Sequence, residues 1–239
     1  RTVNADMAGI TLEQIFNKDP YGNACNNKCK RSYEPITLFI DTLGADHDGR
    51  TGVIASAAVS VFEDKFDKLK TKNKIKFTVG NMQGLRDTIL KLNDDCYYIQ
   101  SLEIMGHGSN GEMQLDPNDK DGNLDPTTLS KLNGLSCAFG QNAEIKLWGC
   151  NTGRGIRGEY FLKELGKRLL WTYGGTITAA NSYVFTHPML NKTWSGDFSY
   201  NTFSIKGGGT DAKSSGTIIP MLSQLKTLDD TLNVLDSKS

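Results

Sequence analysis

The chain has 239 residues, enough for one large domain or two small ones with a buried core. Basic and acidic residues number 27 each, and this balance argues against a nucleic-acid-binding protein, which needs a basic surplus to displace counterions. Since no apolar run approaches the roughly 20 residues of a membrane span, we expect a soluble protein with no nucleic-acid partner.

The first half of the chain predicts strands that alternate with helices. Residues 1–34 are polar and rich in turn-forming residues, and we interpret them as an N-terminal extension of a domain at 35–239. Runs of apolar and β-branched residues predict strands at 36–41, 74–79 and 97–105. Apolar residues at helical spacing predict helices at 53–69 and 82–92.

The second half continues the alternation. Strands are predicted at 143–149, 176–180 and 200–205, with half of a hairpin at 111–115. Helices are predicted at 126–135 with Asp125 as N-cap, at 156–170 and at 218–235. In the second of these, the residues expected to face the core are Ile156, Tyr160, Leu165 and Leu169. A Gly/Ser-rich loop is expected at 207–216. The whole pattern predicts an α/β fold, a mostly parallel sheet with helices on both faces.

Two predicted strands end at residues that can carry chemistry. The strand at 97–105 leads to His107, which lies between two glycines, and the strand at 143–149 leads to Cys150. In an open α/β sheet, active sites lie at the carboxyl ends of the strands. We therefore expect His107 and Cys150 to form a thiolate–imidazole pair.

Such a pair suits nucleophilic catalysis. The thiolate is the attacking species, and the amino end of the helix predicted at 156–170 favours an anion beside it. His107 can take the thiol proton and later protonate a leaving amine. The N–H groups of Gly108 and Cys150 are candidates for an oxyanion hole. The residues that follow are short and are expected to keep the mouth of the site open: Asn151, Thr152 and Gly153.

These motifs resemble a clan of cysteine peptidases. The clan holds caspases, separases, clostripain- and gingipain-like peptidases, bacterial CHAT peptidases and the self-cleaving domains of large bacterial toxins. Its pattern is an apolar strand, His-Gly, a second apolar strand and then Cys. The matching residues are Met105-Gly106-His107-Gly108-Ser109 and Leu147-Trp148-Gly149-Cys150-Asn151-Thr152-Gly153. The resemblance covers roughly residues 36–206 and is closest to the separase, CHAT and toxin-processing members.

The resemblance implies a caspase-like three-layer sandwich and a cysteine endopeptidase that acts on proteins or peptides without a cofactor. It makes Cys150 the nucleophile, His107 the general base and acid, and Gly108 an oxyanion donor. A pocket for the residue before the scissile bond would be lined by Asn151, Asn181, Ser182 and Tyr183. Toxin-type relatives cleave their own parent chain, which implies a self-processing domain of a secreted or injected bacterial effector as one alternative.

The other cysteines and histidines compete for these roles. Cys25 and Cys29 form a C-x-x-x-C that we interpret as two idle thiols, although a local disulfide or half of a metal site is also consistent with it. Cys137 is expected to be structural, and the acids beside Cys96 make it a poor nucleophile. His187 is the fallback base, whereas His47 lies in a predicted loop.

Two segments could receive an activator. The acidic stretch at 116–125 partly fits a calcium loop, although a solvated turn is the preferred interpretation. The helix after Cys150 carries basic residues that could bind a polyanionic small molecule, although a solvated helix face is the preferred interpretation here too: Arg154, Arg157, Lys163, Lys167 and Arg168. Outside the enzymes, the alternative is a catalytically silent α/β interaction module with a flavodoxin-like sheet.

Overall fold

A computed structural model describes most of the chain. The described residues are 19–25, 29–42, 66–67, 73–115, 122–182, 184–187, 192–195, 199–209 and 211–217. Several predictions lie outside them: the helix at 218–235, the helix at 53–69 apart from Phe66 and Asp67, most of the acidic stretch, His47 and Tyr183.

The central element is a seven-stranded sheet. Its strands are β1 (Glu34–Asp41), β2 (Lys74–Thr78), β3 (Tyr97–Met105), β6 (Phe139–Trp148), β7 (Gly175–Ala180), β10 (Ser199–Ile205) and β11 (Asp211–Thr217). Two separate hairpins pair β4 (Gly108–Ser109) with β5 (Glu112–Met113) and β8 (Val184–His187) with β9 (Lys192–Ser195). The helices described over more than one turn are α1 (Met82–Asp94) and α2 (Gly155–Leu170).

The strands follow the order β2-β1-β3-β6-β7-β10-β11. Pairs among the first five are parallel, and β10 is antiparallel to both of its neighbours. This confirms the prediction of an α/β fold with a mostly parallel sheet. The expected loop at 207–216 is wrong over β11, because the polar residues there pair with β10 through their backbone, which needs no apolar side chain.

Both described helices pack on one face of the sheet. They contact the same 3₁₀ turns and cover a core of aliphatic strand residues that includes Leu38, Leu102 and Ile145. On the opposite face, the ring of Phe66 packs edge-on against the ring of Phe39, with 5.4 Å between their centroids. Phe66 and Asp67 are helical. Within the described ranges, no helix is long and apolar enough to cross a bilayer.

The predicted inward face of α2 is half wrong. Leu165 and Leu169 are buried, but Ile156 is 89% exposed and Tyr160 is 55% exposed. The buried stripe instead consists of Gly158, Phe161, Leu162, Leu165, Gly166, Leu169 and Leu170. At 3.6 residues per turn, positions 156 and 160 lie on the side of the helix opposite to that stripe.

The helix predicted at 126–135 is also wrong. The chain forms two short 3₁₀ turns instead, at Leu129–Leu132 and Ser136–Ala138. Gly134 lies between them with φ +80°, a backbone conformation that ends a helix. The N-cap of the first turn is Thr128 and not Asp125, whose carboxylate instead accepts from the N–H groups of Thr127 and Thr128 at 2.6 and 3.2 Å.

Four cysteines form two disulfides that attach the N-terminal segment to the domain. Cys25 bonds Cys137 and Cys29 bonds Cys96, so the interpretation of Cys25 and Cys29 as idle thiols is wrong and Cys137 is structural as predicted. The partners are 112 and 67 residues apart, a pairing that local spacing cannot reveal. Beside the first bond, the N–H of Ala24 donates to a loop carbonyl at 2.8 Å.

Candidate active site

His107 and Cys150 follow paired positions on neighbouring strands. β3 and β6 are parallel, and Met105 pairs with Trp148, so His107 and Cys150 each lie two residues beyond the last pair. Neighbouring strands are about 4.8 Å apart. The structure therefore brings both residues to the carboxyl edge, by which we mean the edge of the sheet where β1, β3, β6 and β7 end.

Glycines allow the two strand ends to touch. A Cβ placed on Gly108 would lie 2.8 Å from the carbonyl oxygen of Cys150, and one placed on Gly149 would lie 3.2 Å from the Cα of Gly108. Any side chain at either position would push the turns apart. The glycines beside His107 and Cys150 thus set how close the two turns can lie.

The His107 turn is fixed from the side of β1. Thr42 is buried, and its hydroxyl lies 3.0 Å from each of two carbonyl oxygens, those of Met105 and Gln114. The carbonyl of His107 accepts from the N–H of Gln114 at 2.8 Å, while the residue itself is exposed to solvent. The backbone of His107 is therefore held in place and the residue remains accessible.

The backbone N–H of Gly108 points away from the β4–β5 hairpin. Gln114 donates to His107, which makes these two a hydrogen-bonded pair of the antiparallel ladder, and Gly108 faces Met113 as the next pair. Hydrogen-bonded and non-hydrogen-bonded pairs alternate in such ladders, so the N–H of Gly108 points away from β5. This geometry is consistent with the predicted role.

Cys150 follows Gly149 in a tight turn after β6, which the N–H of Thr152 closes by donating to the carbonyl of Gly149 at 3.4 Å. It is half-buried and is the one described cysteine outside a disulfide. The next residue, Asn151, has φ +57° and donates its N–H to the carbonyl of Ser182 at 2.8 Å. Gly153 donates in the same way to Ala180 at 2.8 Å, and α2 begins two residues later. The turn is thus fixed to the end of β7 and leads into a helix amino terminus.

The expectation that short residues keep the site open is wrong for Thr152. Its side chain is completely buried, and its hydroxyl donates to the carbonyl of Glu112 in β5 at 3.3 Å. Sequence reasoning missed this contact and that of Thr42. A threonine beside a strand end has many ordinary roles, and neither residue belongs to a periodic pattern.

The predicted substrate-binding residues are partly assembled. Asn151 and Ser182 are half-buried and bonded to each other beside Cys150. Asn181 directs its amide to the hydroxyl of Ser199 in β10 at 2.8 Å, which braces the end of β7. Tyr183 lies outside the described residues.

Other candidates are placed elsewhere. His187 belongs to the β8–β9 hairpin, which is not part of the main sheet. Arg168 on α2 forms an ion pair with Glu164 at 2.8 Å and lies over the ring of Tyr21 at 4.8 Å, so it holds the N-terminal segment. Among the described residues, no group of three or more His, Cys, Asp and Glu residues is arranged to hold a metal ion.

Comparison with known proteins identifies a family for this chain. A family model described as a domain of unknown function, DUF4347, matches residues 53–195, which include both strand ends and the β4–β5 hairpin. No curated protein and no solved structure matches the chain. Because the family model covers more than half of the sequence, the chain belongs to the DUF4347 family.

Proposed function

We propose that the protein is a cysteine endopeptidase with a caspase-like fold, in which Cys150 and His107 form the catalytic pair. The observation that supports the proposal is the register of β3 and β6, because His107 and Cys150 each follow the last strand pair by two residues at the carboxyl edge. Contact between Gly108 and the Cys150 turn adds to it, because only glycine permits an approach that close.

The proposed reaction has two steps. The sulfur of Cys150 attacks the carbonyl carbon of a peptide bond while His107 takes the thiol proton. The N–H groups of Gly108 and Cys150 are the proposed donors to the oxyanion. The carbon–nitrogen bond breaks, and His107 gives the proton to the leaving amine. Water then attacks the thioester with His107 as base, which releases the acid and the thiolate.

The two disulfides support an oxidising compartment for this activity. Disulfides persist in secreted and periplasmic proteins and are rare in the cytosol. We therefore assign the protein to an extracytoplasmic setting, which favours the secreted form of the secreted or injected bacterial effector that the family resemblance implies. Cys137 is the disulfide-bonded cysteine nearest to Cys150 in the sequence. It lies just before the start of β6, whereas Cys150 lies just after the end of that strand.

Cleavage of a peptide library by wild type and variants tests the proposal. Cys150→Ala should abolish cleavage, and His107→Ala should lower kcat/KM by at least about 100-fold, the usual scale of acid–base assistance. His187→Ala is the matched control, because it removes the fallback base in a separate hairpin, and it should leave the rate unchanged.

The same variants separate the alternatives. If His187→Ala loses activity and His107→Ala retains it, His187 is the base and the proposed pair of Cys150 and His107 is wrong. Cleavage confined to the parent chain would restrict the activity to self-processing. A Cys150 thiol that reacts with iodoacetamide no faster than an ordinary thiol, together with no cleavage, would leave a silent interaction module.

A further inference from the structure

The hydroxyl of Thr152 lies between the two turns of the proposed site. A Cβ built on Gly108 would collide with Thr152 Oγ1, which is the atom nearest to it. A Cβ built on Gly149 would lie 2.5 Å from the same oxygen. The side chain is completely buried. One hydroxyl therefore fills the junction between the His107 turn and the Cys150 turn.

Thr152 also bonds the Cys150 turn to the hairpin that follows His107. Its hydroxyl donates to the carbonyl of Glu112 at 3.3 Å, and its own carbonyl accepts from the N–H of Gly111 at 3.1 Å. The residues on either side, Asn151 and Gly153, donate instead towards the end of β7. The turn is thus attached to β7 by its flanking residues and to the hairpin by Thr152.

We propose that Thr152 is a positioning residue that sets the separation between His107 and Cys150. This inference rests on the proposed peptidase function. Contacts between glycines limit how closely two segments approach, but they do not stop the segments from moving apart. The two hydrogen bonds between Thr152 and the hairpin oppose such a separation. Proton transfer needs donor and acceptor within about 2.6–3.2 Å. A small shift of the hairpin would therefore lower the rate of proton transfer between Cys150 and His107.

Thr152→Val tests the role of the hydroxyl, because valine keeps the shape and removes the hydrogen bond. We expect kcat to fall by roughly 10- to 100-fold, since a displacement of about 1 Å has an effect of that size. KM should stay within about twofold, because the side chain is buried and does not meet the substrate. Alkylation of Cys150 by iodoacetamide should become slower and reach half of its maximal rate at a higher pH.

Thr172→Val is the matched control. Thr172 is also buried, at 2% exposure, and its hydroxyl forms a 2.7 Å hydrogen bond with Ser136 before β6, at the opposite edge of the sheet. The two valine variants should lose a similar amount of thermal stability, whereas only Thr152→Val should change kcat and the pH profile of alkylation. Thr152→Ser, which retains the hydroxyl, should restore most of both.

The outcomes distinguish this inference from the function beneath it. Equal kcat and equal alkylation profiles in Thr152→Val and Thr172→Val would overturn the positioning role and leave the peptidase intact. Wild type that neither cleaves peptides nor shows accelerated alkylation at Cys150 would overturn the function itself. If Thr152→Val is too unstable to purify, Thr152→Ala, which adds no bulk, gives the same comparison against Thr172→Ala.

Discussion

The two edges of the sheet use cysteine in opposite ways. At the amino edge, where β3 and β6 begin, Cys96 and Cys137 are both bound in disulfides to the N-terminal segment. At the carboxyl edge, where the same two strands end, Cys150 is not in a disulfide and lies beside His107. The same strands thus carry covalent cross-links at one end and the proposed catalytic pair at the other.

The difference is explained by what each edge must do. A disulfide stabilises the fold by restricting the unfolded chain, and it needs no access to solvent. A nucleophilic thiol needs access, and it must not oxidise with a neighbouring cysteine in the compartment that keeps the disulfides intact. Separation along the length of a strand meets both requirements, since ten residues of β6 lie between Cys137 and Cys150 with one further residue at each end.

The largest expected effect comes from removing the cross-links. Replacing Cys25 and Cys137 by alanine should lower the free energy of unfolding by about 2–4 kcal/mol, and replacing Cys29 and Cys96 should cost a similar amount. Chemical denaturation measures both effects. Because the cross-links lie at the amino edge, kcat/KM per folded molecule should stay within about twofold of wild type under conditions where the variants are folded.

Wild type treated with a mild reductant is the control for side-chain effects of the substitutions. If either double variant remains folded yet loses cleavage activity, the two edges are coupled. The separation argued above would then be wrong.

The next effect concerns the close contact between Gly108 and the Cys150 turn at the carboxyl edge. Gly108→Ala should lower kcat/KM by at least about 100-fold, because its Cβ would lie 2.8 Å from backbone atoms of Gly149 and Cys150, which cannot rotate away. Gly80→Ala is the matched control. Among the described residues other than its two chain neighbours, none has an atom within 4 Å of a Cβ at Gly80, so this variant should keep full activity. A fully active Gly108→Ala would show that the close approach of the turns is dispensable.

The carboxyl edge was largely predictable from the sequence. Apolar residues recur along β3, so this strand was predicted with the bounds that it has, Tyr97–Met105. The prediction that His107 and Cys150 share an edge needed only the rule that parallel strands end on the same side. Such rules depend on local patterns, which a single sequence contains.

The amino edge was not predictable, because its contacts join distant parts of the chain. The disulfide partners of Cys25 and Cys29 are separated from them by 112 and 67 residues, and nothing in the spacing distinguishes this pairing from others. The buried face of α2 was only half predicted, with Leu165 and Leu169 right and Ile156 and Tyr160 wrong. Ile156 and Tyr160 fit a helical apolar stripe, but a second stripe one half-turn away is the one that the core covers.

The smallest expected effect is the response of the amino edge to alkaline pH. Tyr173 lies before β7, and burial raises the pKa of its phenol above the ordinary value of 10.0, with a further contribution from the nearby Tyr33. The folded protein therefore keeps this proton to a higher pH than the unfolded chain does. Stability from the neutral phenol is complete below pH 10 and is lost as the pH rises towards the folded pKa.

Thermal unfolding between pH 9 and pH 11 measures this loss. The melting temperature of wild type should fall more steeply with pH than that of Tyr173→Phe, which has no phenolic proton to lose. Tyr160→Phe is the control, since this residue is 55% exposed and loses little of its hydration on folding. If the melting temperature of Tyr173→Phe falls with pH as steeply as that of wild type, burial of this phenol contributes nothing measurable to stability at the amino edge. The alkaline response would then arise elsewhere in the molecule.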